Sequence, residues 1–444
     1  MTRLTAALLL AAAPALAADW PQWMGPTRDD RWTETGIVQK FPAGGPKKLW
    51  SAPVGGGYAG PAVVGDRVFV ADYQAADATL ANDPGGRQKR EGKERVVCLD
   101  AKTGKEVWKY EYVCPYAVSY AAGPRCAPTV AGGKVYTLGA MGNLSALDAD
   151  SGKLLWAKDF KTDFHAKTPQ WGFAGHPLVY KNLVVCLVGG DNLLVAFDKD
   201  TGKEAWAALP PVQDRVGYSS PNLIEAGGTT QLLLWHPVGI ASVNPDTGKK
   251  YWEFPLPANF DMSIMSPQKH GDYLFVGGMG FHCVVLKLDQ TKPAVTEVWH
   301  GEQAKKNGVY PVNSTPLIED GTIYGVDQPG CLRAVELLTG KRLWATVLPV
   351  VGKDEDPEDR NKHNSGTAFL VKNGDRYFIF GENGDLVIAK LSPEKYEEIS
   401  RAHLLAPTNE AFGRPVVWSH PAFANRCVYA RNDKEIVCYS LAAE

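Results

Sequence analysis

The sequence lacks the short motifs that mark the commonest enzyme active sites. It contains no C-x-x-C-H haem-attachment site, no G-x-S-x-G, no H-E-x-x-H and no phosphate-binding loop. Neither charge is in excess, since 47 Lys and Arg stand against 49 Asp and Glu. Apolar residues nowhere follow helical i, i+3, i+4 spacing at length. These absences argue against a helical solenoid, a nucleic-acid partner and an attraction to membrane surfaces.

The first 17 residues predict an export signal. Arg3 provides the charge, Leu4–Ala13 the apolar core, and Ala15-Leu16-Ala17 an A-x-A cleavage site. The apolar core is well short of the roughly 18–20 residues that a membrane span requires, and no other long apolar segment occurs. No Cys follows the core for lipid attachment. We therefore expect a periplasmic or secreted protein that is neither lipid-anchored nor membrane-spanning.

One stretch of sequence, Gly142–Trp156, recurs along the chain. Its letters GNLSALDADSGKLLW predict a strand, a tight turn of Asp, Ser and Gly, and a second strand that ends on Trp. Further copies are Val97–Trp108, Leu194–Trp206, Ile240–Trp252 and Leu332–Trp344, with a weaker one at Val284–Trp299. The Trp residues that we expect to dock one unit on the next are Trp50, Trp108, Trp156, Trp206, Trp252, Trp299 and Trp344. Of these, we expect Trp108, Trp156, Trp206, Trp252 and Trp344 to be buried between blades. Their spacing of about fifty residues suits four short strands per unit.

The repeats predict an all-β fold, an eight-bladed β-propeller of four-stranded antiparallel blades over residues 47–444. The blades should begin at Gly60-Pro61, Ala127-Pro128, His176-Pro177, Ser220-Pro221, Ser266-Pro267, Thr315-Pro316, Ser365-Gly366 and His420-Pro421. The last unit ends at Ile436–Leu441 without a fourth strand, whereas Lys47–Trp50 is a fourth strand without a unit in front of it. We expect Leu49-Trp50 to pair with Val437–Tyr439, so that an N-terminal strand closes the ring and removes an exposed edge.

The pattern A-L-D-x-x-[ST]-G-K-x-x-W resembles the tryptophan-docking motif of the pyrroloquinoline-quinone-type (PQQ-like) propeller repeat. Ala146 and Trp156, like Ala196 and Trp206, keep its ten-residue spacing. That family includes quinoprotein alcohol dehydrogenases and the BamB-type outer-membrane assembly factor. The resemblance covers Trp50 to the C-terminus and implies the propeller fold, but it does not choose a function, because the motif is a packing device.

For the dehydrogenases, the resemblance implies a quinone held by a vicinal Cys pair, a calcium site of carboxylate and amide oxygens, and a catalytic Asp. This chain has no adjacent Cys pair. We therefore carry over none of those sites, favour neither PQQ nor Ca²⁺, and expect no cofactor.

Long loops predict a binding face. The loops between blades are long, and those on the opposite face are short turns. Trp, Tyr and Arg dominate interface hot spots, so the candidate binding residues, together with nearby His, are Tyr116, Tyr120, Trp171, His176, Tyr218, Tyr310, His363, Arg414, Trp418 and His420. The alternative is that these side chains pack loop against loop. Residues 18–46 predict an irregular arm lying across the propeller, and its three Trp residues offer an aromatic platform as an alternative.

Several polar side chains have two alternative interpretations, one functional and one structural. His165, His176, His363 and His420 fall on the long-loop face, where His176 and His420 either converge on the channel to bind a metal or bond to the backbone. Carboxylates that either supply oxygen ligands or serve as turn residues are Asp327, Glu382 and Asp385. The basic run Arg87–Arg95 predicts a solvated loop, or a contact for an acidic partner.

Eight cysteines in an exported chain permit disulfides. A turn centred on Asn432-Asp433 would place Cys427 opposite Cys438 and predicts a cross-strand bridge. Cys114 and Cys126 flank one loop and are a second candidate pair. The remaining Cys98, Cys186, Cys283 and Cys331 lie in apolar runs and read as buried thiols.

Two functions from different classes fit these observations. The first is a non-catalytic, monomeric propeller that binds a protein, peptide or cell-envelope polymer on its long-loop face. The second is a PQQ- or metal-dependent oxidoreductase that uses the same face. The missing cofactor residues favour the first, and we expect no catalytic residue.

Overall fold

The computed structural model describes residues 18–77, 83 and 85–443 and confirms the eight-bladed propeller. The predicted export signal, residues 1–17, lies outside the described residues. Each blade is a four-stranded antiparallel sheet, and the first strands of neighbouring blades contact each other around the central channel. The chain therefore runs outward through each blade from the channel to the rim.

The strands of blades 1 to 4 follow one another in the chain. Blade 1 contains Ala62–Val64, Arg67–Ala75, Gly92–Asp100 and Glu106–Val113. Blade 2 contains Thr129–Ala131, Lys134–Leu138, Asn143–Asp148 and Leu154–Asp159. Blade 3 contains Leu178–Tyr180, Leu183–Gly189, Asn192–Asp198 and Glu204–Ala208. Blade 4 contains Asn222–Ala226, Thr229–His236, Gly239–Val243 and Lys250–Pro255.

Blades 5 to 8 continue this order, except that the last blade borrows its outer strand from the N-terminal side. Blade 5 contains Gln268–His270, Tyr273–Gly278, His282–Leu288 and Val295–His300. Blade 6 contains Leu317–Glu319, Thr322–Val326, Leu332–Glu336 and Arg342–Thr346. Blade 7 contains Ala368–Asn373, Arg376–Gly381, Asp385–Leu391 and Tyr396–His403. Blade 8 contains Ala422–Ala424, Cys427–Arg431, Glu435–Ser440 and Lys48–Pro53.

Short elements decorate the loops between these strands. Two-stranded ribbons pair Gln88–Arg90 with Tyr116–Val118 and Asn409–Ala411 with Arg414–Val416. The helical turns are Phe160–Asp163, Leu348–Val351, Arg360–His363 and the 3-10 turn Asn259–Asp261.

The ring closes as the complementary ends predict. Lys48–Pro53 pairs antiparallel with Glu435–Ser440, with Trp50 opposite Cys438 and Ser51 opposite Val437. Because blade 8 takes strands from both ends of the propeller sequence, separating the ends would leave that blade with three strands and a bare edge.

The docking Trp residues lie between blades. Trp50, Trp108, Trp156, Trp206 and Trp252 are buried. A Cβ on the turn glycine of the following blade would come within 2.5 to 2.7 Å of the ring for the pairs Trp50–Gly104, Trp108–Gly152, Trp156–Gly202 and Trp206–Gly248. These glycines have φ near 70°, so the turn needs glycine both for its backbone and for the ring that covers it.

Trp299 and Trp344 are only half-buried, and our expectation that Trp344 is buried was wrong. Its indole N–H donates to the Ser392 carbonyl at 2.9 Å. Blade 7 has Ser392-Pro393 where blades 1, 2, 3, 4 and 6 carry a Gly-Lys turn, so the Trp344 ring meets a turn without glycine. The turn glycine does not by itself decide burial, because Trp299 faces Gly340 and is half-buried, whereas Trp252 is buried although the blade 5 turn has no glycine.

The arm of residues 18–46 crosses the short-turn face. Its backbone pairs with the inner strand of blade 1 at Val63 and with that of blade 7 at Lys372. Trp20 and Trp32 are buried against the blades, so they offer no platform, whereas Trp23 is half-buried and points into the central channel region described below.

The disulfides predicted from the sequence are not formed in this structure, in which all eight cysteines are free thiols, although the Cys427 and Cys438 side chains contact each other. The hairpin of blade 8 turns through four residues instead of two, because the Asn432 side chain accepts the N–H groups of Lys434 and Glu435. The register shifts accordingly and places Cys427 opposite Ser440.

Cys114 and Cys126 likewise do not bridge a loop. The Cys114 sulfur lies 3.8 Å from the Asn143 side-chain oxygen, and the Cys126 sulfur lies 4.0 Å from the Phe173 carbonyl. Each thiol is buried against a different neighbour.

The basic run Arg87–Arg95 is not a solvated loop. Arg90 and Glu94 are buried, and Arg95 donates to both oxygens of Asp72 at 2.8 and 2.7 Å. The run belongs to the ribbon and to the third strand of blade 1. Arg90, Glu94 and Arg95 are therefore used inside the fold, whereas Arg87, Lys89, Glu91 and Lys93 are exposed.

Candidate functional site

A cavity of about 460 Å³ lies at the centre of the long-loop face. All eight loops between blades contribute to its lining, and the arm adds Trp23. The aromatic lining residues are Trp23, Tyr58, Tyr120, Trp171, Tyr218, Phe260, Phe369, Phe412 and Trp418. A largely apolar cavity of this size is typical of a ligand-binding site.

The floor is built where the arm meets the first residues of the inner strands. Arg28 is buried, and its guanidinium donates to the carbonyl of Pro221 at 2.9 Å and to that of Pro177. The ring of Trp23 stacks on His176 with centroids 4.6 Å apart. The arm therefore plugs the channel from the short-turn face, below the cavity.

Two histidines border this floor, but they are held by the protein. The His176 Nδ1 atom lies 3.0 Å from the Ser220 hydroxyl, and burial holds the pKa of this imidazole well below its usual value. The His420 Nδ1 donates to the Pro421 carbonyl at 2.8 Å, and its Nε2 lies 3.0 Å from the Asp30 carboxylate. Within the described part of the chain, no group of three or more His, Cys, Asp or Glu side chains could hold a metal ion.

The structure brings six of the ten candidate binding residues to the cavity. They are Tyr120, Trp171, His176, Tyr218, Trp418 and His420. Trp171 and Trp418 are half-buried, and Trp171 packs edge-on against Tyr218 with centroids 5.7 Å apart. These residues come from four different loops, and only the closed ring brings them together.

The other four candidates do not line the cavity. Tyr116 and Tyr310 are buried: the first stacks on Tyr73 with centroids 4.0 Å apart, and the hydroxyl of the second donates to the Asn307 carbonyl. The loops thus use these rings for their own packing, and a surface role for them was wrong.

His363 and Arg414 are also structural. His363 is buried, with Nε2 3.0 Å from the Glu355 carboxylate. Arg414 donates to the buried Glu382 at 2.6 Å. Glu382 also accepts the indole N–H of Trp418 at 2.9 Å, so Arg414 positions the carboxylate that orients a cavity-wall ring.

The three carboxylates considered as ligands are engaged by protein donors. Asp327 accepts Arg333 at 2.8 Å and the backbone N–H of Tyr310 at 2.8 Å. Asp385 accepts Arg401 at 2.9 Å. Asp327 and Glu382 follow the second strands of blades 6 and 7 and tie these turns to the preceding loop, which agrees with the structural reading.

Sequence reasoning considered Trp23 only as part of an alternative aromatic platform on the arm, and it missed Phe260, Phe412 and Arg125. The first three lie in stretches without repeat periodicity, which carry no signal for their position. Arg125 stands two residues before Ala127-Pro128, where blade 2 begins, and this closeness to an inner strand was a usable signal.

The family model described as outer membrane protein assembly factor BamB matches residues 34–113 and 92–346, more than half of the chain. The chain belongs to this family.

The similar proteins include both BamB proteins and quinohemoprotein alcohol dehydrogenases. BamB of Burkholderia pseudomallei (strain K96243) is 25% identical over 339 residues, which cover 72% of this chain and 74% of that protein. Quinohemoprotein alcohol dehydrogenase ADH IIB of Pseudomonas putida is 36% identical over 149 residues, 31% of this chain. The matches span only 21% and 29% of the length of ADH IIB and of ADH-IIG from the same organism.

A solved structure has the same fold. Quinohemoprotein alcohol dehydrogenase from Comamonas testosteroni superposes with a TM-score of 0.59 at 15% identity, covering 96% of this chain and 81% of that one. At this identity the likeness concerns the fold alone.

The cavity residues of this BamB-family chain do not fit a calcium-bound quinone. The described lining residues include no Asp, Glu or Cys, so neither the carboxylate ligands that Ca²⁺ prefers nor a Cys pair is present there. In the part of the chain that the structure describes, no helix is both long and apolar enough to cross a membrane.

Proposed function

We propose that this protein is an exported, non-catalytic binding protein that captures a protein, a peptide or an envelope polymer with the cavity on its long-loop face. The observation that carries the proposal is the cavity itself: aromatic side chains from the loops surround it, and a plug closes its far end. Large aromatic rings desolvate much area at low entropic cost, which is how interface hot spots gain their energy.

The charge pattern supports binding over catalysis. General acid–base chemistry needs a carboxylate, imidazole or similar group within reach of a bound substrate. The lining described here has no carboxylate. Both ring nitrogens of His420 lie against protein groups, the Pro421 carbonyl and the Asp30 carboxylate, and the Nδ1 of the buried His176 lies against the Ser220 hydroxyl.

The relatives named as assembly factors favour the same class of function, and the proposal includes a periplasmic or secreted location with a monomeric chain. The alternative of a quinone-dependent oxidoreductase has support from the two P. putida relatives. We rank it second because the cavity lacks the groups that would hold the quinone with calcium.

Differential capture tests the proposal. Immobilised wild-type protein, Trp171→Ala and the opposite-face control Lys102→Ala would be exposed to an envelope fraction of the exporting cell, with capture quantified by mass spectrometry. Trp171 is half-buried in the cavity wall, and the Lys102 side chain is 74% exposed in a short turn of blade 1. We expect Trp171→Ala alone to lose the captured partner while thermal stability changes little.

Two results would contradict the proposal. Equal capture by both variants would remove the cavity from binding. Dye reduction that appears only when the purified protein is supplied with PQQ and Ca²⁺ would establish the oxidoreductase instead.

A further inference from the structure

One cation stands alone in the cavity. Among the described lining residues, Arg125 is the single Arg, Lys, Asp or Glu side chain. Its guanidinium donates to the carbonyls of Gly123, Ser119 and Tyr120, the last two at 2.8 and 2.9 Å, and lies 5.2 Å from the centroid of the Tyr58 ring. Carbonyls and a ring face orient the guanidinium but do not neutralise it.

Glu94 is the carboxylate whose charge interacts with Arg125, but it is buried and does not line the cavity. It accepts the hydroxyls of Tyr112 and Tyr116 and the backbone N–H of Ala140. Among the described residues, no ion pair joins Arg125 to a carboxylate, and its hydrogen bonds go to backbone carbonyls. Inside the cavity, the Arg125 charge therefore faces no carboxylate.

The remaining polar groups of the wall include donors that face no acceptor. The indole N–H groups of Trp23 and Trp171 make no hydrogen bond within the described structure. The lining also holds the amides of Asn313, Gln328 and Asn364, but its one charged side chain is the Arg125 cation. An apolar group that bears an anion matches this charge with a charge-assisted hydrogen bond, whereas a neutral saccharide does not use it.

The rim extends the apolar surface beyond the cavity. Phe260 and Phe412 lie on two loops at its mouth and are 75% and 49% exposed. Their backbones have φ of 53° and 52°, a left-handed conformation that costs a bulky residue free energy. A small ligand inside the cavity would leave these rings in water, whereas a chain that continues past the mouth would cover them.

From these contacts we propose that the cavity binds a peptide segment of a partner protein in which an aromatic side chain stands next to a carboxylate. The ring enters between Trp171 and Trp418, the carboxylate pairs with Arg125, and the flanking peptide covers Phe260 and Phe412. This inference rests on the proposed binding function and adds the chemistry of the ligand.

Peptide titrations test the inference. The probes are acetyl-Gly-Phe-Glu-Gly-amide, its Gln counterpart and its Ala-Glu counterpart, followed by intrinsic tryptophan fluorescence and isothermal calorimetry. A charge-assisted hydrogen bond is worth about 1.5–3 kcal/mol, so we expect the Gln peptide to bind about ten- to a hundredfold more weakly. The Ala-Glu peptide should bind more weakly as well, because it lacks the ring.

Variants of two cavity residues test which side chain recognises the carboxylate and which recognises the ring of the peptide. Arg125→Gln should remove the preference for Glu over Gln, and Arg125→Lys should retain part of it, while circular dichroism checks that both remain folded. Trp171→Ala should weaken both ring-bearing peptides equally and leave the Glu-to-Gln ratio unchanged.

The outcomes separate this inference from the broader proposal. Equal binding of the Glu and Gln peptides, with Trp171→Ala still losing the captured envelope partner, overturns the anionic-peptide inference and leaves the binding function standing. Tighter binding of an acidic oligosaccharide than of any peptide overturns the choice of a peptide. A Glu-to-Gln ratio that Arg125→Gln leaves intact overturns the role of Arg125.

Discussion

Trp156 offers a clean measure of how much the packing between blades stabilises this propeller. Its ring is buried, lies against Gly202 of the next blade, and stands 6.1 Å from the Tyr136 ring between centroids. The indole N–H donates to the Lys199 carbonyl at 3.1 Å, and the Tyr136 hydroxyl donates to the same carbonyl at 3.1 Å.

Trp156→Ala should therefore cost packing and little hydrogen bonding, because Lys199 keeps its second donor. Removing a buried Trp ring costs about 3–5 kcal/mol when the site collapses only partly. The matched control is Trp344→Ala, whose half-buried ring faces a turn without glycine. We expect the control to cost about 1–2 kcal/mol.

Urea unfolding followed by circular dichroism, with the two variants beside wild type, measures both free energies. A loss at Trp156 no larger than the loss at Trp344 would refute the reasoning that buried contact with the next blade's glycine turn carries the stability.

Three further predictions concern charge, thiols and the arm. Burial lowers the pKa of His176, so at acid pH the unfolded state binds a proton that the folded state does not. The free energy of unfolding should therefore have its full value above pH 6.5 and fall by about 1.4 kcal/mol per pH unit below it. Thermal unfolding at several pH values, compared with His176→Gln, checks this slope, and an unchanged slope in the variant contradicts it. Alkylation of the denatured, unreduced protein should label all eight cysteines, and fewer labels in the mass spectrum would reveal a disulfide. If export removes residues 1–17, the new ammonium of Ala18 would stand 3.0 Å from Glu34; we expect protein starting at Ala18 to melt at a higher temperature than an N-terminally extended form, and equal melting would contradict the ion pair.

The blades could be predicted from the sequence because each unit contains the residues that specify its own hairpin. A turn of Asp, Thr or Ser and Gly, with Trp four residues after the Gly, specifies a hairpin and a docking ring within about fifteen residues. Ring closure was readable for a related reason: a fourth strand at Lys47–Trp50 and a missing one after Glu435–Ser440 complement each other.

The contacts that the arm makes at the centre of the ring could not be predicted in the same way. Arg28 bonds to carbonyls about 150 to 190 residues away, at Pro177 and Pro221, and Asp30 meets His420 nearly 400 residues on. No local pattern encodes such contacts, since they depend on the closed ring and on the path of an arm without periodicity.

The cavity, too, could be predicted from the sequence only in part. The loops were recognisable as long, and some of their aromatic residues were named correctly, but sequence does not say which rings turn inward. Tyr116 and Trp171 are both aromatic loop residues; the first is stacked on Tyr73 and closed off, whereas the second stands in the cavity wall. Burial decides between them, and burial is a property of the assembled loops.

The most direct test of the central claim is photocrosslinking in the exporting cell. A benzoylphenylalanine residue would replace Phe260 at the cavity rim or Lys102 on the opposite face, and adducts would be identified after irradiation. The account predicts a specific adduct from position 260 that Trp171→Ala abolishes, and none from position 102. An adduct that forms from position 102 alone, or one from position 260 that Trp171→Ala leaves unchanged, would contradict it.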